Sequence, residues 1–104
     1  MNEQILENIR QLKRRLAPDG RLILFGSQAR GDATPESDWD LLLLIDKDNA
    51  NLIEDYNTYG YPFDELGFRF NTPVNTLVYT VKDWEKGKIF PFYKNVMQEG
   101  IEIT

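Results

Sequence analysis

Apolar residues recur at three- and four-residue steps through Ile5, Ile9, Leu12 and Leu16, with Leu6 beside them, while Glu3, Glu7, Lys13 and Arg14 take other faces. That period predicts an amphipathic first helix. Pro18-Asp19-Gly20 carries turn chemistry, and the apolar run from Arg21 to Phe25, ended by Gly26, predicts a short buried strand. Gly26 to Ser37 is polar and contains Gly31 and Pro35, which predicts a loop with one helical turn near Ser27 to Arg30. Asp38 to Ile45 holds Leu41-Leu42-Leu43-Leu44-Ile45, too short for a capped buried helix and suited to a central strand.

Beyond that point the pattern weakens. Leu52, Ile53 and Tyr56 lie three and four apart and predict a helix over Asn49 to Tyr59, whereas Tyr59 to Phe70 assigns itself to no element. Val74 to Thr80 follows Pro73, is rich in β-branched residues and predicts a third strand. Lys82 to Lys88 reads as a short helix, and Pro91 to Glu99 as a longer one stopped by Gly100, with Tyr93, Val96 and Met97 on its inner face. Ile101 and Ile103 fit a short edge strand. The resulting order, α-β-loop-β-α-β-α-α, predicts an α/β (α+β) fold: a small mixed β-sheet flanked by helices. No repeat or linker interrupts the chain, so residues 1–104 are expected to form a single domain.

Composition narrows the chemistry. Hydrophobic residues make up 41% and charged residues 28%, values of a folded globular protein rather than a disordered one. There is no cysteine and no histidine, which removes disulfides, thiol nucleophiles, imidazole acid–base chemistry and the usual zinc ligand sets. A metal would have to be held by oxygen, which favours a hard cation such as Mg2+. The net charge of −5 argues against an extended nucleic acid partner, because that binding neutralises phosphates with Lys and Arg. No apolar run reaches the roughly 20 residues that cross a bilayer, and Met1 to Arg10 lacks a signal-peptide core, so no membrane partner and a cytoplasmic location are expected.

Asp38 and Asp40 stand two apart at the head of a strand, so both carboxylates emerge on one side, about 7 Å apart along the backbone, and Trp39 points the other way. Such a pair can converge on a hard cation. The preceding Gly26-Ser27 turn lets phosphate approach backbone amides and a hydroxyl, and Arg30 can offset phosphate charge. Each signal has a plainer alternative: two of 17 acidic residues solvated at a turn, or a polar loop in which Ser27 caps a helical turn and Arg30 sits in solvent.

Taken together, Gly26-Ser27-Gln28-Ala29-Arg30-Gly31 followed by Ser37-Asp38-Trp39-Asp40-Leu41 resembles the nucleotidyltransferase superfamily related to DNA polymerase beta, and within it the minimal, stand-alone domains of antitoxin type. The likeness covers the strands on both sides of the motif and, more loosely, nearly the whole chain. It implies the polymerase beta-like palm fold, nucleoside triphosphate (ATP in the first instance) on Gly26 and Ser27, and Mg2+ on Asp38 and Asp40. It leaves Arg30 either as a phosphate contact or as a part of the loop. The reaction implied is transfer of a nucleoside monophosphate to a hydroxyl. Minimal domains of this kind work in toxin–antitoxin systems with an all-helical HEPN-type partner protein, which makes such a partner, or self-association, an expectation for this chain.

One departure stands out. The family carries a third carboxylate on the next strand, typically in Pro-Val-Asp, where it binds metal and activates the incoming hydroxyl; here the words are Pro73-Val74-Asn75. An asparagine oxygen can ligate a cation but cannot accept a proton as a base. Two further expectations therefore stand side by side: an enzyme, or a catalytically weakened nucleotide-binding module. Asp64 or Glu65 is the alternative source of the third acid. The aromatic stretch Tyr56, Tyr59, Tyr61, Phe63, Phe68 and Phe70 reads as core packing, with base stacking or an interface as the other possibility.

Overall fold

The computed structural model describes all 104 residues. Helix α1 (Glu3–Leu16) starts where the Asn2 side chain accepts hydrogen bonds from the amides of Gln4 and Ile5, and its buried residues are Ile5, Ile9 and Leu12. Lys13, Arg14 and Arg15 occupy its last turn, where positive charge meets the negative end of the helix dipole. Strand β1 (Arg21–Phe25), a single helical turn α2 (Ser27–Arg30) and strand β2 (Trp39–Ile45) follow, in close agreement with the sequence pattern.

Four strands form one mixed sheet in the order β3-β2-β1-β4, where β3 is Val74–Thr80 and β4 is Ile101–Ile103. β1 pairs antiparallel with both β2 and β4, while β2 and β3 run parallel. A parallel pair needs a long crossover, and residues 46–73 supply it. The central place of β2 explains its unbroken leucine run, because side chains on both faces are buried. Leu41, Leu43 and Ile45 join Trp39, Leu22 and Leu24 under α1, whereas Leu42 and Leu44 face Ile23, Trp84 and Val96 on the opposite side.

The crossover differs from the sequence expectation. It is helical over α3 (Leu52–Asp55), continues as a π-helical turn at Tyr56–Gly60, and then forms α4 (Tyr61–Arg69), for which the sequence pattern had no element. Pro62 follows directly on the π-helical turn, within a helical run that continues without a break into α4, and its missing N–H leaves the turn before it short of one donor. Leu52 and Ile53, whose spacing predicted the helix, are 73% and 76% exposed; the helix is instead fixed through Asp55, which is buried and bonded to Lys47 at 2.8 Å and to the Asn51 amide at 2.9 Å. Burial alone would raise the Asp55 carboxyl, but these two donors outweigh it and hold the group below its ordinary range.

The aromatic stretch divides between core and surface. Phe63 is fully buried beneath the sheet, Tyr59 and Phe70 pack against that core, and Tyr61 and Phe68 are exposed. Helix α5 (Val81–Lys86) is capped by Thr80, whose hydroxyl accepts from the Asp83 amide, and α6 (Pro91–Glu99) leads into β4. Val96 of α6 is buried and Tyr93 packs beside it, but Met97, expected on the inner face, is exposed. No helix is long and apolar enough to cross a membrane.

Candidate active site

The chain leaves β1 through Gly26, at φ 73° and ψ −156°, a region that side chains other than glycine's rarely enter. A Cβ here would also collide with Oδ2 of Asp40, so the position needs glycine twice over. The close approach follows from register: Phe25, immediately before the turn, pairs with Asp40 across β1 and β2. Ser27 opens α2, and its amide and that of Gln28 have no carbonyl partner, whereas those of Ala29 and Arg30 donate to the Gly26 carbonyl. Gly31 ends the turn in the left-handed region at φ 84°, and its amide and that of Asp32 both donate to the Ser27 carbonyl. Buried Gln28 steadies the loop from below, donating to the Ser37 carbonyl at 3.4 Å.

Asp38 and Asp40 emerge on one side of the strand because Trp39, between them, buries its ring on the other, at 1% exposure. Asn75 stands opposite Asp40 in the parallel register of β2 and β3, and its Nδ2 donates to Oδ2 of Asp38 at 3.0 Å. The structure thus brings Gly26, Asp38, Asp40 and Asn75 to one end of one face of the sheet. Burial raises the Asp40 carboxyl above its ordinary range; the charge of Asp38 adds to the rise, while Asn75 and Arg30 oppose it.

Arg30 does not close on the two carboxylates. Its guanidinium lies 3.4 Å from Asp32 and 3.5 Å from Glu99, linking the turn to α6. Neighbouring carboxylates without a cationic partner at contact distance make a seat for a cation, and carboxylate and amide oxygens are the donors a hard ion takes. The residues therefore fit a divalent ion in kind. With asparagine at the third corner, no cluster of three acidic residues is formed.

The alternative third acids lie elsewhere. Asp64 and Glu65 belong to α4, which packs with α1 on the Trp39 face, and Asp64 accepts a hydrogen bond from the Tyr56 hydroxyl. They are thus separated from the Asp38–Asp40 pair by the sheet. Two contributors that the sequence reading passed over are Phe92 and Asn95 of α6, which line a groove together with Gly26. Their separation of three residues on a helix was the available signal, but nothing local connects them to a turn more than sixty residues earlier.

Residues 3–94 match the family model described as nucleotidyltransferase domain. A candidate protein adenylyltransferase of Methanocaldococcus jannaschii is 34% identical over 83 residues, covering 77% of this chain and 73% of that protein. A crystal structure of a toxin–antitoxin with AMP-PNP superposes with a TM-score of 0.62 at 19% identity, over all of this chain and 73% of that one.

Proposed function

Because the chain belongs to the nucleotidyltransferase domain family, we propose that it uses the Gly26–Asp40 site to move an adenylyl group from Mg2+-bound ATP to a hydroxyl on a partner protein. The observation that carries this reading is the meeting of Asp38, Asp40 and the Gly26 turn at one end of the sheet. The choice of adenylyl and of a protein acceptor leans on the archaeal relative's name. The shared fold of a structure crystallised with AMP-PNP agrees with a nucleotide of that kind.

In this reading Gly26 and Ser27 receive the phosphates, their free amides and hydroxyl donating to phosphate oxygens. Asp38 and Asp40 would hold the metal. A bound magnesium ion supplies charge neutralisation and orientation at the transferring phosphoryl group. The acceptor oxygen attacks the α-phosphorus, the bond from that phosphorus to the bridging oxygen breaks, and pyrophosphate leaves. The hydroxyl proton has no acceptor in Asn75, whose amide is neither charged nor basic and already donates to Asp38. It must pass to solvent or to a carboxylate of the partner, an all-helical protein of HEPN type in the toxin–antitoxin arrangement.

Asn75 also favours a second reading, a nucleotide-binding module that occupies its partner without transferring anything. Incubation with labelled ATP, Mg2+ and the candidate partner separates the two. Transfer of label that disappears in Asp38→Asn and rises in Asn75→Asp is the expected result for the enzyme. Intact binding of ATP with no transfer in either wild type or Asn75→Asp supports the module.

A further inference from the structure

A groove of about 300 Å3 lies between the Gly26 turn and α6, lined by Phe25, Gly26, Phe92, Asn95 and Val96, with the Arg30–Glu99 pair as its charged wall. We infer that this groove holds the nucleoside end of the triphosphate, with the base against Phe92 and its polar edge read by Asn95. The inference rests on the nucleotide reading above and adds to it where the base goes and which residues select it.

Continuity is the first support. Gly26 belongs both to the phosphate turn and to the groove, so a molecule with its phosphates on that turn has its remaining part within reach of α6. The two surfaces meeting at Gly26 differ in chemistry. The β2 side presents Asp38 and Asp40, suited to cations, whereas the α6 side presents aromatic and aliphatic carbon, suited to a flat heterocycle.

Phe92 is 40% exposed, so part of its ring is open to a ligand. Its contacts with Phe25 and Trp84 are edge-on, with centroids 5.6 and 5.8 Å away and rings inclined at 80° and 90°. These neighbours fix the ring without stacking parallel to it, which leaves it available to stack with a base. Asn95 follows Phe92 by three residues and so shares its side of the helix. The Asn95 side chain is exposed and makes no hydrogen bond within the chain, while Glu99 is engaged with Arg30. An asparagine amide offers a donor beside an acceptor, the complement of the paired groups on the edge of adenine. A volume of about 300 Å3 lies at the lower end for ligand pockets and suits a nucleoside.

The test is calorimetric titration of the full chain with magnesium ATP and with magnesium tripolyphosphate, which keeps the phosphates and lacks the nucleoside. Phe92→Ala is expected to weaken ATP roughly tenfold, in the range of base–aromatic stacking, with Phe92→Tyr close to wild type. Asn95→Ala is expected to weaken ATP several-fold, and tripolyphosphate affinity should be the same in all four proteins. Should Phe92→Ala fail to fold, Asn95→Ala at its exposed position decides instead. Unchanged ATP affinity in the folded variants, or equal losses for ATP and tripolyphosphate, overturns the groove assignment while leaving the nucleotide reading standing. Wild-type protein that binds neither ligand removes both.

Discussion

Gly26 and Gly31 lie five positions apart and both take positive φ, yet the surroundings separate them. An added Cβ at Gly31 meets nothing within 4 Å, whereas at Gly26 it runs into the Asp40 carboxylate. Gly31→Ala therefore costs only the left-handed strain, about 1 kcal/mol, and leaves the carboxylates in place. Gly26→Ala, at φ 73° and ψ −156°, enters a region closed to nearly every residue with a Cβ and in addition displaces Asp40, for a larger total of about 2–3 kcal/mol. Urea unfolding should give that order, and Mn2+ titration, used as a probe of the cation seat, should show affinity lost in Gly26→Ala and retained in Gly31→Ala. Equal metal affinity in the two variants would uncouple the turn from the carboxylates. Asn75 belongs to the same scale: it sits where a third acid is expected, and its amide bonds to Asp38 instead of adding charge.

Within the crossover, the π-helical turn and α4 are joined by the hydrogen bond from Tyr56 to Asp64, on the face of the sheet away from the carboxylate pair. That hydrogen bond, with burial and the Asp64 charge adding to it, pushes the Tyr56 hydroxyl up to about 12. Since the folded chain holds this proton more tightly than the unfolded chain, the stabilisation is complete below the ordinary tyrosine value near 10. It is lost as pH rises from there through about 12. An ultraviolet titration of tyrosinate should thus show a late step from Tyr56. The late step should vanish in Tyr56→Phe, whose stability should also fall less steeply above pH 10 than that of wild type. A single ordinary transition for all tyrosines in the folded protein would contradict this account.

Taken as a whole, the molecule is one sheet with a hydrophobic layer on each face, and β2 contributes to both. Leu42 and Leu43 are completely buried on opposite sides, so truncating either to alanine opens a cavity in a different layer. Each change is expected to cost about 2–5 kcal/mol, and chemical denaturation measures it. Leu52→Ala, at a position 73% exposed, should stay within about 0.5 kcal/mol of wild type. If Leu42→Ala proved as mild as Leu52→Ala, the layer formed by α5 and α6 would not be a cooperative part of the fold. That layer matters for function as well, because α6 supplies the groove beside Gly26.

Local physics was enough for a large part of this protein. The spacing of Ile5, Ile9 and Leu12, the leucine run of β2, and the glycines around Ser27 to Arg30 each express a period or a backbone freedom that neighbours in the chain decide, and the motif residues Gly26, Asp38 and Asp40 lie within fifteen positions. Asp38 and Asp40 share a side simply because a strand alternates. Other features depended on residues far apart in the chain. The crossover became a π-turn and a helix through contacts with β3 that no local period encodes, and Leu52 and Ile53 proved to be surface residues. Parallel register set Asn75 against Asp40, the sheet separated Asp64 from the carboxylate pair, and the fold of α6 over β1 carried Phe92 and Asn95 to the Gly26 turn. Short-range order follows from side-chain period and backbone sterics, whereas a site assembled from three strands and a distant helix exists only once the sheet has closed its long-range pairings.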